Sequence, residues 1–140
     1  GLGDVYKRQI PDYALKGEKE MFFRPLVMNN LYNQVRSYLR IDTSLKERKY
    51  GFKDGCSRLV ELDETIQLPA GYKLANADKN ETMQGTGADF EGSLAQQGNK
   101  VLLHNKLALK KRVYEAADWD SFRNAVNAHK AYGEYLVIKK

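Results

Sequence analysis

The stretch QGNKVLLHNKLALKKRVY, residues 97–114, decides the fold. After a Gln97-Gly98-Asn99 turn, two sets of residues alternate along it. The apolar set is Val101, Leu103, Leu107, Leu109 and Val113, and the polar set is Lys100, His104, Lys106, Lys110 and Arg112. Period two is typical of a half-buried β-strand. Residues 83–96 supply the other arm of a hairpin, which three glycines predict to be twisted or bulged: Gly85, Gly87 and Gly92.

A second alternating stretch lies at residues 58–68. Its apolar members are Val60, Leu62, Ile66 and Leu68, and its polar members are Glu61, Asp63, Thr65 and Gln67. The pattern predicts a strand with one face in the core. Pro69-Ala70-Gly71 predicts a turn, because Pro presets φ and Gly accepts a positive φ. Residues 72–75 are expected to be extended, and the polar residues 78–81 to form a loop.

Near the end of the chain the period changes from two to that of a helix. Asp118 or Ser121 is a suitable N-cap for a helix that runs to Lys130. Its apolar stripe is Phe122, Ala125, Val126 and His129. Gly133 is expected to end the helix, and residues 134–138 to form a last short strand before Lys139-Lys140.

The N-terminal third is less regular. Residues 21–28, MFFRPLVM, predict a strand in which Pro25 marks either an edge position or a break. Residues 29–49 fit a short helix, with an irregular surface excursion as the alternative. These elements together predict a mainly β fold, an antiparallel two-sheet β-sandwich with one C-terminal helix and a short helix within 29–49.

The first nine residues, GLGDVYKRQ, suggest a phosphate-binding loop, but a strand before and a helix after the glycines would be needed. They resemble translated sequencing-adapter sequence at all nine positions. We therefore expect residues 1–9 to be a non-native adapter-derived segment. Residues 10–20 are expected to be a linker or the tail of an upstream domain missing from this chain, and residues 21–140 the β-sandwich domain.

Composition favours an ordinary globular domain. The chain has 140 residues and a net charge of +5, which falls to +4 when Asp4, Lys7 and Arg8 are left out. The densest basic run is three residues long, Lys110-Lys111-Arg112, so a solvated basic surface is expected rather than a nucleic-acid site. The sequence contains no stretch of eighteen apolar residues, the length needed to span a membrane as a helix. With one cysteine, an internal disulfide cannot form.

Catalytic candidates are few. Cys56 lies in an Asp-Gly-Cys-Ser stretch, but a strand pattern follows it, whereas nucleophilic cysteines of papain-like and transglutaminase-like enzymes open a helix. His104 falls on a polar strand face and His129 on the apolar helix face. Asp63 and Glu64 point to opposite faces of their strand. We predict no catalytic, cofactor-binding or metal-binding residue and no cofactor.

Capping and packing account for other notable residues. Asp118 and Asp120 fit the start of the last helix, where carboxylates interact favourably with the helix dipole. Five aromatic residues could line a sugar or peptide groove, with core or sheet packing as the commoner role: Tyr32, Tyr38, Tyr50, Phe52 and Tyr72.

The order of three segments resembles a known family. LPAGYKL (residues 68–74) is followed by the 98–114 hairpin arm and then by WDSFRNAVNAHKAYGEYLVIKK (residues 119–140). Together they resemble the C-terminal β-sandwich domain, of unknown function, of bacterial envelope-associated proteins. In that family a transglutaminase-like domain precedes this one and carries the Cys, His and Asp triad.

The resemblance implies a noncatalytic accessory domain of a transglutaminase-like, cysteine-peptidase-like protein. Its partner would be the upstream domain of the same full-length chain, and its location periplasmic or in the cell envelope. An envelope glycan- or peptide-binding module is the alternative, while nucleic-acid binding rests on charge alone and a cysteine enzyme on Cys56 alone. A surface that normally meets the upstream domain would leave an apolar patch, which we expect near Phe22, Phe23 and Leu26.

Overall fold

The computed structural model describes residues 13–28 and 41–140. The adapter-like residues 1–9 lie outside the described residues. The short helix or irregular excursion predicted at residues 29–49 also lies mostly outside the described residues, because residues 29–40 are not described. Residues 26–28 are helical, and residues 41–49 contain no helix or strand.

Besides the helical residues 26–28, the described parts of the chain contain ten strands, a short 3-10 helix and one longer helix. The first five strands are β1 (Leu15–Lys16), β2 (Glu20–Phe23), β3 (Phe52–Lys53), β4 (Arg58–Gln67) and β5 (Lys73–Leu74). The second five are β6 (Lys79–Met83), β7 (Ala88–Gln97), β8 (Lys100–Leu109), β9 (Val113–Tyr114) and β10 (Leu136–Lys139). A 3-10 helix at Ala116–Asp118 leads into the helix α1 (Trp119–Ala131).

The strands form two four-stranded sheets and a small ribbon. One sheet has the order β4-β8-β7-β6, the other the order β1-β2-β10-β5, and β3 pairs with β9. Every pairing among these strands is antiparallel. The predicted fold class is confirmed: the protein is mainly β, with a two-sheet sandwich-like arrangement and one C-terminal helix.

The predicted hairpin is the centre of the larger sheet. Gln97 pairs with Lys100, so Gly98 and Asn99 form the turn, and Gly98 has the positive φ of +60° that glycine accepts without a Cβ penalty. The register continues unbroken from there to Ala88, so of the predicted alternatives, twisted or bulged, a bulge does not occur within β7. Gly85 and Gly87 lie before β7, where the predicted arm is interrupted between β6 and β7. Gly92 instead makes room for a neighbouring ring, as described below.

The strand predicted at residues 58–68 is also confirmed. It is β4, which pairs with β8 along its whole length, and Leu62 and Leu68 are buried. Gly71 has a φ of +83° in the turn that follows. The loop predicted at residues 78–81 is wrong, because Lys79 to Met83 pairs with β7. The sheet's backbone hydrogen bonds there outweigh a polar local sequence.

One residue of the predicted inward set faces the other way. β8 ends at Leu109, and the chain bends before β9 pairs with β3. Tyr114 is therefore fully buried, while Val113 is 62% exposed. The predicted alternation assumes one continuous strand. Because the chain bends between β8 and β9, residues after the bend that are predicted to face the core face the solvent instead, and the reverse.

Helix α1 packs on β7 and β8 and closes the core over the larger sheet. Its predicted stripe is confirmed, since Phe122, Ala125, Val126 and His129 are all buried, and Trp119 joins them. Each large apolar side chain buried in this way stabilises the fold by about 1.5–3 kcal/mol. No helix in the described parts of the chain is long and apolar enough to span a bilayer.

The predicted apolar patch near Phe22, Phe23 and Leu26 is made by their neighbours and not by those three side chains: Leu15, which pairs with Phe22, is 62% exposed, and Val27 is 41% exposed. Phe23 is 7% exposed and belongs to the core, and Phe22 and Leu26 are half-buried. The reason is the pairing of β2 with β10, which sets Phe23 opposite Leu136 inside the sandwich. Pro25 follows the end of β2, so it marks a break; β2 itself lies between β1 and β10.

Candidate functional site

Cys56 lies exposed in the loop between β3 and β4. The predicted strand follows it, because β4 begins at Arg58. His104 lies on β8 opposite Asp63, which is five residues along β4 from Arg58. At about 3.3 Å per strand residue this offset is roughly 16 Å. The fold therefore does not bring Cys56 within hydrogen-bond reach of His104.

Three residue types of a hydrolase triad do lie in one row. On the outer face of the larger sheet, Ser93 of β7 is opposite His104 of β8, which is opposite Asp63 of β4. His104 Nδ1 lies 2.8 Å from Asp63 Oδ1. Among the described side chains, however, Ser93 makes no hydrogen bond to His104, and the Asp63 side chain is 78% exposed. The row therefore lacks the hydrogen bond by which a histidine activates a serine. The sequence does not indicate this row, because it depends on the register of three strands.

The second histidine forms a buried polar contact. His129 Nδ1 lies 2.5 Å from Asn105 Oδ1, and both residues are fully buried between α1 and β8. An amide oxygen accepts a hydrogen bond, so Nδ1 carries the proton. Burial, with a smaller contribution from Lys130, lowers the pKa of His129 to about 4. The neutral His129 imidazole therefore has a structural role, since it links α1 to β8. The sequence did not predict Asn105 as its partner.

Glu64 has an equally specific structural contact. Its carboxylate accepts hydrogen bonds from the backbone N–H groups of Leu26 at 2.8 Å, Val27 at 3.1 Å and Met28 at 3.4 Å. These are the free donors at the start of the helical residues 26–28. Burial raises the pKa of Glu64, and the three backbone hydrogen bonds oppose that rise. Asp63 is exposed on the other face, as predicted, so the two carboxylates are not an acid–base pair.

Asp118 occupies the predicted N-cap position of α1, but its carboxylate bonds elsewhere. It accepts hydrogen bonds from Lys111 Nζ at 2.8 Å and 2.9 Å and from the backbone N–H of Glu115 at 2.9 Å. The Lys111 hydrogen bond, then that of Thr86, lowers the pKa of Asp118 to about 2. Asp120 lies in the first turn of the helix, as the capping interpretation expected.

Of the five aromatic residues proposed for a groove, the three that the structure describes do not form one exposed surface. Phe52 stacks on Tyr114 with ring centroids 4.6 Å apart and belongs to the core packing. Tyr50 is 81% exposed in the preceding loop, and Tyr72 is half-buried after β4. Tyr32 and Tyr38 lie outside the described residues. Core packing is thus the role of Phe52.

A different pair of tyrosines lines a cleft that the sequence did not indicate. The cleft has a volume of about 210 Å³ and lies between the end of α1, β6 and the loop before β6. Its lining includes Asn76, Lys79, Leu94, Tyr132, Glu134 and Tyr135. Neither tyrosine carried a sequence signal, because Tyr132 and Tyr135 follow the last helical turn as isolated aromatics.

Cations lie against both tyrosine rings. Lys79 Nζ lies 5.6 Å from the centroid of the Tyr132 ring, and the Arg24 guanidinium lies 4.5 Å from that of Tyr135. The Tyr132 side chain packs on Gly92, where an added Cβ would lie 2.7 Å from Cζ of the ring. Burial, with a smaller contribution from Glu81, raises the pKa of Tyr132 to about 12.

Within residues 13–28 and 41–140, no group of three or more His, Cys, Asp or Glu side chains is arranged to hold a metal ion. Ion pairs on the larger sheet include Lys106 with Glu61 at 3.4 Å and Lys110 with Asp89 at 2.7 Å. Such exposed pairs contribute about 0–1 kcal/mol each. They describe a solvated sheet face.

Comparison with known proteins gives a family and a fold. A family described as a domain of unknown function with a solved structure matches residues 19–137. No curated protein matches the chain. The fold is similar to a crystal structure from Parabacteroides distasonis ATCC 8503 described as a "putative protease", with a TM-score of 0.66 at 12% identity. The similarity covers 88% of this chain and 24% of that one, so this chain spans about a quarter of that protein's length.

Proposed function

Since the chain belongs to the DUF3858 family of domains of unknown function, we propose that it is a noncatalytic accessory domain of a larger bacterial protein. In that protein it would pack against and support a transglutaminase-like, cysteine-peptidase-like domain that lies upstream. The catalysis would belong to the upstream domain. The role of this chain would be to stabilise that domain and to fix its position.

One observation carries the proposal: nearly the whole of this fold corresponds to a quarter of a longer protein. A domain of this size with its own core folds as a unit and meets its neighbours through interfaces of roughly 600–1,500 Å². The longer protein is described as a "putative protease". The proposed cysteine-peptidase-like neighbour would agree with that description. An accessory role therefore agrees with both the family and the fold.

We propose that the contact with the upstream domain lies at the end of the sandwich formed by β3, β9 and the β3–β4 loop. Three large apolar side chains are exposed here: Tyr50 at 81%, Leu59 at 60% and Val113 at 62%. The segments are joined by backbone and side-chain bonds, since the Asp54 N–H donates to the Arg112 carbonyl and Arg58 binds the Asp54 carboxylate. We name this surface the β3–β9 end.

The compartment and partners follow from the same proposal. A bacterial envelope or periplasmic location is expected, and the main partner is the upstream domain of the same chain. Nucleic acid is not expected as a partner, because the densest basic run is three residues long. A periplasmic location can be tested by locating the full-length protein in osmotic-shock fractions.

Cys56 provides a direct test of the interface, because it lies exposed at the β3–β9 end. The maleimide labelling rate of Cys56 is measured in this chain and in the full-length protein, with every other cysteine replaced by serine. We expect labelling to be at least tenfold slower in the full-length protein, because the upstream domain would cover the loop.

A matched control moves the thiol to the opposite end of the sheet. In a Cys56→Ser background, Lys100→Cys places a thiol beside the hairpin turn, where Lys100 is exposed. This thiol should label equally fast in both proteins. Equal labelling of Cys56 in the two proteins would overturn the proposed interface. Loss of the upstream domain's stability on deletion of residues 21–140 would still support the accessory role.

A further inference from the structure

We propose that the cleft at the end of α1 binds a single neutral pyranose ring, as the terminal or branch sugar of a glycan. The cleft is the one described above, between α1, β6 and the loop before β6. The inference is independent of the accessory role. A domain that supports an upstream enzyme can also hold a sugar, and either property can fail without the other.

The lining combines apolar surface with a few polar groups. Leu94 and Tyr132 line the cleft but are buried, at 3% and 4% exposure, so Tyr135 supplies the exposed aromatic surface. The Tyr135 ring is 46% exposed and is held by the Arg24 guanidinium stacked on it. A pyranose has one face of C–H groups, which packs against aromatic rings and aliphatic side chains while its hydroxyl groups reach polar atoms around the rim.

Both donors and acceptors are available at the rim. The Asn76 oxygen accepts a hydrogen bond from the Val137 N–H at 2.7 Å, which fixes the amide and leaves its two N–H donors uncommitted among the described residues. In the same parts of the chain, the Lys79 ammonium and the Glu134 carboxylate form no ion pair. Sugar hydroxyls both donate and accept, so they can use all three groups.

The charges favour a neutral ligand. Lys79 and Glu134 contribute one positive and one negative charge to the same cleft. An anion would be repelled by Glu134 and a cation by Lys79, whereas a neutral polyol is penalised by neither. A zwitterionic amino acid also satisfies both charges, but it has no extended C–H face to cover the exposed Tyr135 ring. That difference separates the two ligands experimentally.

The size of the cleft limits the ligand to one ring. Its 210 Å³ is below the roughly 300–1,000 Å³ of pockets that enclose drug-sized ligands. A ligand of this size with a partly open site is expected to bind with a Kd on the order of 1–10 mM. Binding of a longer glycan would then depend on repeated copies or on the rest of the protein.

The test is an NMR titration of the ¹⁵N-labelled chain with methyl β-D-glucopyranoside, methyl β-D-galactopyranoside and the methyl glycoside of N-acetylglucosamine. At least one sugar should produce saturable amide shifts at residues 76–79 and 131–136, with Kd in the millimolar range. Tyr135→Ala should weaken binding about tenfold, and Lys79→Met and Glu134→Gln should each weaken it measurably. All three side chains are exposed, so the variants should keep the wild-type spectrum elsewhere.

The matched control is Tyr50→Ala, which removes the most exposed tyrosine of the described residues at a site away from the cleft. It should leave the sugar Kd unchanged. Shifts that do not saturate with any of the sugars would overturn the proposal, as would shifts centred outside the cleft. Tighter binding of glycine or alanine, or of an unrelated peptide along β6, would assign the cleft to a different ligand and would also overturn it.

Discussion

Replacing Glu64 with alanine tests how the two sheets are tied together. Its carboxylate on β4 caps the helical residues that follow β2, accepting hydrogen bonds from the Leu26 N–H at 2.8 Å and the Val27 N–H at 3.1 Å. Each hydrogen bond to a charged group contributes about 1.5–3 kcal/mol. Burial of the carboxylate, which raises the pKa of Glu64, offsets much of this gain. We therefore expect Glu64→Ala to lower the free energy of unfolding by about 1–2 kcal/mol, or Tm by roughly 3–8 °C.

Urea denaturation followed by far-UV circular dichroism measures this change. The matched control is Glu61→Ala on the same strand, since Glu61 is exposed and pairs with Lys106 at 3.4 Å. It should change the unfolding free energy by less than about 0.5 kcal/mol. The reasoning is refuted if the two variants are equally stable.

The pH dependence of the Glu64 contact has a definite sign. The pKa of Glu64 is raised in the folded protein above 4.5, so the folded state binds this proton more tightly than the unfolded state does. The stability linked to that proton is present below pH 4.5 and is lost as pH rises through the folded pKa. Relative to Glu64→Gln, which does not titrate, the wild type should gain stability as pH falls toward 4.5. A difference that is constant with pH would contradict the raised pKa.

Three further substitutions follow from the packing and the charges. Gly92→Ala should cost about 1–3 kcal/mol, because the added Cβ would meet Phe90 and Tyr132 at 2.6–2.7 Å, whereas Gly55→Ala, with open space, should be near neutral in the same urea assay. Phe122→Ala should cost about 3–5 kcal/mol and lower the urea midpoint accordingly, since its ring is fully buried. Asp118 has a pKa lowered from 3.8 to about 2, so its contribution of about 1–2 kcal/mol, discounted for the partly exposed Lys111 amine, is present above pH 3.8 and is lost as pH falls through about 2. The stability gap between the wild type and Asp118→Asn should therefore close between pH 4 and 2; a gap that stays constant would refute the assignment.

The strongest sequence pattern predicted the parts of the fold that depend on local periodicity. The 97–114 stretch and residues 58–68 alternate because one face of the larger sheet lies in the core. The first contains the central strand β8, and the second is the edge strand β4, which pairs with β8. The helix stripe at Phe122 and Val126 was predicted for the same reason. In these elements, the spacing of the apolar residues predicts which face is buried.

The features that sequence missed depend on contacts between distant segments. The polar sequence of β6 predicts a loop at residues 78–81, but β7 pairs with β6 and satisfies its backbone hydrogen bonds. The Phe23 side chain was expected at the surface, and its pairing opposite Leu136 placed it in the core. Asn105 alternates with apolar neighbours and is buried because His129 of α1 reaches it. No local pattern contains these partners.

The candidate site was least accessible to sequence reasoning. Cys56 is a possible nucleophile by its sequence context. However, it lies in the loop before β4, and His104 is opposite Asp63, five residues along β4 from its start. The cleft at Tyr132 and Tyr135 is assembled from the end of α1, the start of β6 and the loop between β5 and β6. Its polar groups converge only when the helix has packed on the sheet, so their spacing in sequence carries no signal.

The central claim is that this chain accompanies a catalytic domain encoded upstream in the same gene. Long-read sequencing of the source DNA across the codon for Ile10 tests it most directly. We predict an in-frame transglutaminase-like domain with Cys, His and Asp residues at its triad positions, joined to Ile10 without the adapter-like residues 1–9. An in-frame start codon close to Ile10, or an upstream domain with no such triad, would contradict the account.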